Sequence, residues 1–135
     1  MTLSADQRTQ LKVQKAILQV EDHLVTWIQD ALDQTNYGDL EESQFRNLVR
    51  VADTTESPEV IKNFLRYQVG RDKKWGRGNN SLAEKIIQNI DSDIRQAAQK
   101  IADECETNLK PIWIELIRRY LGYGARHLKY LRDGK

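Results

Sequence analysis

The sequence contains few of the residues that cross-link a small protein, bind metal ions or mark sharp turns. Its 135 residues include one cysteine, two histidines, two prolines and seven glycines. A lone Cys105 excludes an intramolecular disulfide framework and is consistent with a reducing compartment. Because His23, His127 and Cys105 are scattered singly, no pair of them has the spacing of a zinc site. We therefore expect no metal and no cofactor.

Long apolar segments are also missing. The longest apolar runs are two or three residues, which excludes a helix that spans a membrane. The first ten residues lack the apolar segment of a signal peptide. A content of 39% hydrophobic and 30% charged residues is ordinary for a globular protein. We expect one domain over residues 1–135, located in the cytoplasm.

Charge is distributed in blocks, although the net charge is only +1. Residues 30–60 hold eight acidic residues against two arginines, whereas residues 61–83 hold six basic residues against Asp72. Residues 110–135 hold seven basic residues against two acidic ones. A molecule polarised in this way could present one face to a polyanion or stack head-to-tail on copies of itself.

The apolar spacing predicts helices throughout, because no segment alternates with period two over a useful length. Ser4 with Gln7 has the spacing of a capping box, and Ser57-Pro58 is a strong helix start. Within the first helix, one stripe has a spacing of seven: Leu11, Leu18, Val25 and Leu32. The predicted helices cover about residues 4–33, 40–52, 57–70, 81–108 and 111–131. The expected fold is all-α, a single compact bundle of about five helices.

No motif indicates catalysis. The chain has neither a Walker loop nor a dinucleotide-binding fingerprint. Asp91 and Asp93 are two residues apart and point to different faces of a helix, and Cys105 lies on an apolar stripe typical of a core. An enzyme would need a pocket lined by converging polar groups, and the sequence offers no such set. We expect a protein that is not an enzyme.

Basic residues carry the strongest functional signal. Arg46 and Arg50 lie four apart on the second predicted helix, and Arg126 lies on a polar stripe of the last one. A glycine-rich segment between the third and fourth helices adds an aromatic among cations: Arg71, Lys73, Lys74, Trp75 and Arg77. Cations for phosphates and a π-face for a base suit a single-stranded nucleic acid. The alternative is a solvated polar face with Trp75 folded back on the core.

Three segments together resemble a known family, the helical small subunit of type III CRISPR effector complexes. Residues 43–48 (Ser-Gln-Phe-Arg-Asn-Leu) resemble its small-x-Gln-apolar-Arg-x-apolar helix. Residues 65–71 (Leu-Arg-Tyr-Gln-Val-Gly-Arg) are similar to its Tyr-x-x-Gly-Arg element, and residues 120–130 to its aromatic and basic last helix. The long first helix, the Trp75 loop, Gly122 and Gly124 depart from the family's pattern.

The resemblance implies a non-catalytic, RNA-binding structural role. Family members stack in several copies along a ribonucleoprotein filament and touch the guide–target RNA duplex through basic side chains, without reading its sequence. The expected partners are therefore RNA, other CRISPR effector subunits and copies of itself, with no membrane. The expected contacts, of which Arg46, Arg66 and Arg71 come from the matching segments, are Arg46, Arg50, Arg66, Arg71, Lys73, Lys74, Trp75, Arg77 and Arg126.

A second hypothesis from another class is a helical protein–protein adaptor with no nucleic-acid partner. Its docking faces would be the acidic region of residues 30–60 and the basic last helix. An adaptor should ignore RNA at moderate salt, and its basic residues should be paired with acids within the molecule. The sequence leaves both hypotheses open, together with the choice between RNA and single-stranded DNA.

Overall fold

In the part of the chain that the structure describes, six α-helices and one π-helical turn form an all-α bundle, in agreement with the predicted fold class. The structure is a computed structural model that describes residues 2–135. A π-helical turn at Ile90–Ile94 joins the fourth helix to the fifth. Among the described residues, an isolated bridge between Asn36 and Ser81 is the one strand-like pairing. The helices are α1 (Ala5–Gln34), α2 (Glu42–Thr54), α3 (Pro58–Arg71), α4 (Leu82–Asn89), α5 (Arg95–Cys105) and α6 (Leu109–Asp133).

α4, the π-turn and α5 run on as one helical rod, so the bundle has the five rods that the sequence predicts. The backbone stays right-handed helical through both junctions, with φ −61° and ψ −42° at Asn89 and φ −70° and ψ −43° at Ile94. A π-turn widens the helix locally, and here the Ile90 carbonyl accepts a hydrogen bond of 2.8 Å from the Trp113 indole N–H. The rod ends at Cys105 because Glu106 takes the left-handed conformation, with φ 53°.

Serine caps fix the starts of three helices. Ser4, Ser57 and Ser81 each accept a hydrogen bond from the backbone N–H three residues later. Pro58 occupies the first turn of α3, where its missing N–H costs nothing. The capping box at Ser4 and the start at Ser57 are confirmed, and the predicted helix boundaries lie within two or three residues of the observed ones.

The last helix is the centre of the bundle. α6 packs on α1, α2 and α5, and its Tyr120 is completely buried. The Asn89 amide donates a 2.8 Å hydrogen bond to the Tyr120 hydroxyl, so the buried oxygen has a polar partner. Burial raises the pKa of Tyr120 and keeps the phenol neutral. Cys105 is buried as well, as its position on the apolar stripe predicts.

The core face of α1 differs from the stripe of seven-residue spacing. Among its buried residues are Ile17, Leu24 and Ile28. Of the predicted stripe, only Leu32 is buried, whereas Leu11 and Leu18 are 52% and 61% exposed. A helix of 30 residues has more apolar positions than one contact face needs. The residues that face the bundle, among them Ile17, Leu24 and Ile28, follow the 3.6-residue period of an α-helix and lie on a different face from Leu11 and Leu18.

A buried lysine ties α3 to the π-turn. The Lys62 ammonium lies 2.7 Å from a carboxylate oxygen of Asp91 and 2.7 Å from one of Glu59. Burial lowers the pKa of Lys62, but the hydrogen bonds to the two carboxylates outweigh it and raise the pKa above its usual value. Lys62 is therefore a cation that stabilises the fold. Its spacing of four residues from Arg66 would instead predict that both side chains lie on one solvent-exposed face of α3.

Within residues 2–135, no helix is both long enough and apolar enough to pass through a bilayer.

Two neighbouring glycines of α6 should respond oppositely to alanine. A Cβ at Gly122 meets no atom within 4 Å, so Gly122→Ala should raise the free energy of unfolding by about 0.5–1 kcal/mol. A Cβ at Gly124 would lie 2.6 Å from Phe45 and 2.7 Å from Ile28. Gly124→Ala should therefore cost about 1–3 kcal/mol. Urea denaturation measures both values, and equal effects would contradict this packing of α6.

Candidate nucleic-acid interface

The glycine-rich segment between α3 and α4 is fixed to the connection between α1 and α2. The Asn36 N–H donates to the Asn80 carbonyl at 2.9 Å, and the Leu82 N–H donates to the Asn36 carbonyl at 3.2 Å. The Gly38 N–H donates to the Lys74 carbonyl at 3.0 Å. The segment that is least regular in sequence is thus held at both ends by backbone hydrogen bonds.

Gly76 is required for this attachment. Its φ of 79° lies in the left-handed region, and a Cβ would collide with the Asn36 carbonyl oxygen. The two strands of chain approach each other closely only because this position has no side chain. Gly78, with φ 85°, turns the chain again after Arg77. The glycines therefore shape the loop and do not form a phosphate cradle in a nucleotide-binding motif.

Trp75 belongs to the core, which corrects its expected place among the RNA contacts. Its side chain is only 2% exposed, and its ring lies 5.4 Å from the ring of Phe45 on α2. No base can stack on a ring whose faces are covered by protein. The physical reason is that a tryptophan between two fixed loop ends gains more from burial than from solvent exposure. Trp75 fastens the loop to α2.

Beside Trp75, a cleft opens between α2, the end of α3 and the loop. Its volume is about 220 Å³. We call it the α2–α3 cleft; its lining residues are Gln44, Asn47, Gln68, Arg71, Asp72, Lys74 and Trp75. Two of the three segments that resemble the CRISPR small subunit, residues 43–48 and 65–71, meet here. The cleft is dominated by polar side chains with a single aromatic wall.

Two amide side chains in the cleft are oriented as donors. The Gln44 side-chain oxygen accepts a 2.8 Å hydrogen bond from the Glu41 N–H, and the Asn47 oxygen accepts one of 2.5 Å from Arg50. Because these bonds occupy the amide oxygens, the NH₂ groups of Gln44 and Asn47 remain to donate to a ligand. Donors without matching acceptors favour a ligand rich in oxygen lone pairs.

The cations of the cleft have no acidic partner. Neither Arg71 nor Lys74 lies within ion-pair distance of a carboxylate in the described part of the chain. Asp72, the one acid in the lining, accepts a 2.9 Å hydrogen bond from the Lys74 backbone N–H. The Arg71 guanidinium lies 5.6 Å from the centre of the Tyr67 ring. Two unpaired cations and two amide donors match the chemistry of a phosphate.

The other expected contacts are placed differently. Arg50 reaches the rim of the cleft through Asn47, and Lys73 and Arg77 are exposed on the loop nearby. Arg46 forms a 3.0 Å ion pair with Glu42 and does not line the cleft. Two further expected contacts, Arg66 on the outer side of α3 and Arg126 on α6, also lie outside its lining.

Within residues 2–135, three of the seven basic residues of the block 110–135 form ion pairs. Arg119 pairs with Glu115 at 2.8 Å and also with Glu21, and Lys129 pairs with Asp133 at 2.5 Å. Arg118 donates to the Ala52 carbonyl at 2.8 Å, and so satisfies an open carbonyl at the end of α2. Arg118, Arg119 and Lys129 therefore serve internal contacts, whereas Lys110 and Arg126 are exposed and form no ion pair in the described part of the chain.

Sequence reasoning missed Tyr67 as a site residue. Its side chain is 59% exposed, next to Arg71 on the open side of α3. It offers the exposed aromatic face that Trp75 does not. A signal was present, because Tyr67 is the tyrosine of the Tyr-x-x-Gly-Arg segment, at four residues from Arg71 on the same helix face.

Neither a metal-binding cluster nor a known relative gives further information on the α2–α3 cleft. No group of three or more histidine, cysteine or acidic side chains among residues 2–135 has a metal-binding arrangement. No family model, no curated protein and no solved structure matches the chain.

Replacing Trp75 should affect stability far more than ligand binding. Trp75→Ala removes a fully packed ring and should lower the free energy of unfolding by about 3–5 kcal/mol, whereas Trp75→Phe should cost less because the new ring can still pack on Phe45. Urea denaturation gives the values, with the exposed Arg77→Ala as a control near zero. A stable Trp75→Ala variant would contradict the core position.

Proposed function

We propose that this protein is a non-catalytic, RNA-binding subunit of a type III CRISPR ribonucleoprotein complex in the cytoplasm. It holds the guide–target RNA by its backbone and does not read its sequence. The α2–α3 cleft is the contact site, with Arg71 and Lys74 on phosphates and Tyr67 beside them. Arg50, Lys73 and Arg77 extend the basic surface around the cleft.

One observation carries this proposal: donors converge in the cleft from two resembling segments and from the loop. Residues 43–48 contribute Gln44 and Asn47, residues 65–71 contribute Gln68 and Arg71, and the loop adds Lys74. Cations without acidic partners are available to neutralise phosphates, which is the main source of affinity for nucleic acids. Residues 43–48 lie well before residues 65–74 in the sequence, so the meeting of these two parts of the chain is a property of the fold.

Contacts to the RNA backbone explain why this protein would not distinguish one RNA sequence from another. Phosphates and sugar hydroxyls are the same at every nucleotide, so contacts to them position an RNA without specifying it. The amide donors of Gln44 and Asn47 suit phosphate or 2′-hydroxyl oxygens equally.

Reversing the two cleft cations tests the proposal. Arg71→Glu with Lys74→Glu should weaken the binding of every RNA sequence by the same factor, at least about tenfold, since each charge-assisted hydrogen bond contributes about 1.5–3 kcal/mol. Loss of two phosphate contacts should lower the slope of log affinity against log salt by about 1.4 for a single strand. Fluorescence polarisation with two unrelated labelled RNAs measures both quantities.

The matched control is Lys100→Glu with Lys110→Glu, which makes the same change in net charge at exposed positions outside the cleft. This variant should keep most of the affinity and the native salt slope. Equal losses in both double variants would indicate a diffuse charge effect. A loss that differs between the two RNAs would contradict backbone recognition.

Tyr67 should contribute through its ring alone. Tyr67→Ala should weaken single-stranded RNA binding by about 1–3 kcal/mol, the usual value of one base–aromatic stack, whereas Tyr67→Phe should retain the native affinity. Circular dichroism should show unchanged helicity, because the side chain is exposed. If Tyr67→Phe loses as much as Tyr67→Ala, the hydroxyl and not stacking is responsible.

A second candidate function is the helical adaptor without nucleic acid. The observation that favours it is the internal pairing of the α6 cations Arg118, Arg119 and Lys129. The observation against it is that Arg71 and Lys74 are left unpaired in the cleft. The polarisation assay separates the two, since an adaptor shows no RNA binding even in low salt.

A further inference from the structure

One face of α1 carries large apolar side chains that the bundle leaves exposed or only partly covers. Leu18 is 61% exposed and Leu11 52% exposed, and Val25 continues the same line at a spacing of seven residues. Leu11 to Val25 spans about 21 Å of helix at 1.5 Å per residue. Three uncharged polar residues lie along the line: Gln7, Gln14 and Gln29. We call this line the α1 seam.

The seam has an open groove at each end. At the amino-terminal end, a groove of about 550 Å³ is lined by Leu3, Gln7, Gln10, Leu11 and Gln14. At the other end, α6 runs beside α1 in the same direction, since Glu21 pairs with Arg119 and Asp33 with His127. There a groove of about 370 Å³ lies between Val25, Gln29 and the α6 residues Tyr123, Arg126, His127 and Tyr130.

Two unpaired charges of opposite sign stand beside the seam. Lys15 and Asp22 are both exposed, and neither forms an ion pair within residues 2–135. They are seven residues apart, one on each side of Leu18 along the helix. The nearby Glu21 is already engaged by Arg119. Lys15 and Asp22 are therefore charges available to a partner beside Leu18, and Arg126, which is exposed and lies 5.9 Å from the centre of the Tyr123 ring, is a further one in the second groove.

We propose that two copies of this chain pair through their α1 seams, antiparallel, about a two-fold axis at Leu18. Leu18 then meets Leu18 of the second copy. Leu11 of each chain enters the other chain's groove beside Val25. In this register Lys15 lies within about one residue of Asp22 of the other chain, so two symmetry-related ion pairs form at once.

The positions of Lys15 and Asp22 favour a second copy of this chain as the partner and an antiparallel arrangement of the two α1 helices. In a parallel two-fold pair, the Lys15 and Asp22 side chains of the two copies would lie on opposite sides of the interface and could form no ion pair with each other. The antiparallel pair satisfies all four charges with the chain's own sequence, so no other partner has to be invoked. Interface cores are also poor in charge and rich in aromatic residues, which fits the glutamines of the seam and the tyrosines of its second groove.

This inference is independent of RNA binding, because the seam and the α2–α3 cleft share no residue. A two-fold pair is closed, unlike the head-to-tail stacking that the CRISPR resemblance implies. The two contacts could coexist in one assembly, since they use different surfaces. If the chain proves to be monomeric, the proposal of RNA binding in the α2–α3 cleft is unaffected, and the reverse also holds.

Sedimentation equilibrium of the full chain tests the proposal, because it measures the dimer dissociation constant of the native chain and of variants in which the charges at Lys15 and Asp22 are reversed. The native chain should show a species of about twice 15.7 kDa at micromolar to submillimolar concentration. Lys15→Glu alone and Asp22→Lys alone should each raise the dimer dissociation constant about tenfold or more. The double variant restores opposite charges across the axis and should return close to the native value.

Leu18→Lys places two ammonium groups at the axis and should leave only monomer, whereas Val60→Lys, at an exposed apolar site on α3, should leave the dimer intact. Circular dichroism confirms that each variant is folded. A native chain that is monomeric over the whole concentration range overturns the proposal. So does a double variant that associates no better than the single ones, because that result excludes the antiparallel register.

Discussion

The position of Phe45 determines both the bundle and the cleft. Its ring packs against Gly124 on α6, where no Cβ could fit, and against Trp75 in the loop, at 5.4 Å between ring centres. The first contact joins α2 to the central helix, and the second closes the loop onto α2. Since Gln44 and Asn47 flank Phe45 on the same helix, this core contact also sets where their amides point. The arrangement of donors in the α2–α3 cleft is thus a consequence of hydrophobic packing, because Gln44 and Asn47 belong to the helix that Phe45 fixes in place.

Charges in this protein divide into those that hold the fold and those left for a ligand. Arg118, Arg119 and Lys62 each have partners in other helices, and Arg132 donates to the Gly38 and Leu40 carbonyls. For Arg118, Arg119 and Lys62, the electrostatic potential outside the molecule is reduced because a carboxylate lies close by. Arg71 and Lys74 lack such partners, so their field extends into the cleft. A small net charge of the chain therefore conceals a locally cationic cleft, in which Arg71 and Lys74 face a single acid, Asp72.

Local signals predict the fold well and the site less well. Serine caps, the proline at residue 58 and apolar spacing specify five rods, since each depends on neighbours in sequence. The core face of α1, the burial of Trp75 and the pairing of Arg119 with Glu21 depend on contacts with distant segments, and no local pattern encodes them. Charge alone could not separate Arg46, paired with Glu42, from Arg71, which is unpaired. Tyr67 was visible in the sequence, but its exposure follows only from the direction of α3.

Nuclear magnetic resonance of the isotope-labelled chain tests the location of the RNA contact most directly. Amide and side-chain signals would be followed while unlabelled RNAs of two different sequences are added at low salt. The account predicts that shifts concentrate in residues 44–50 and 66–77, with the same pattern for both RNAs. Shifts that concentrate on α1 or α6, or a spectrum unchanged by either RNA, would contradict it.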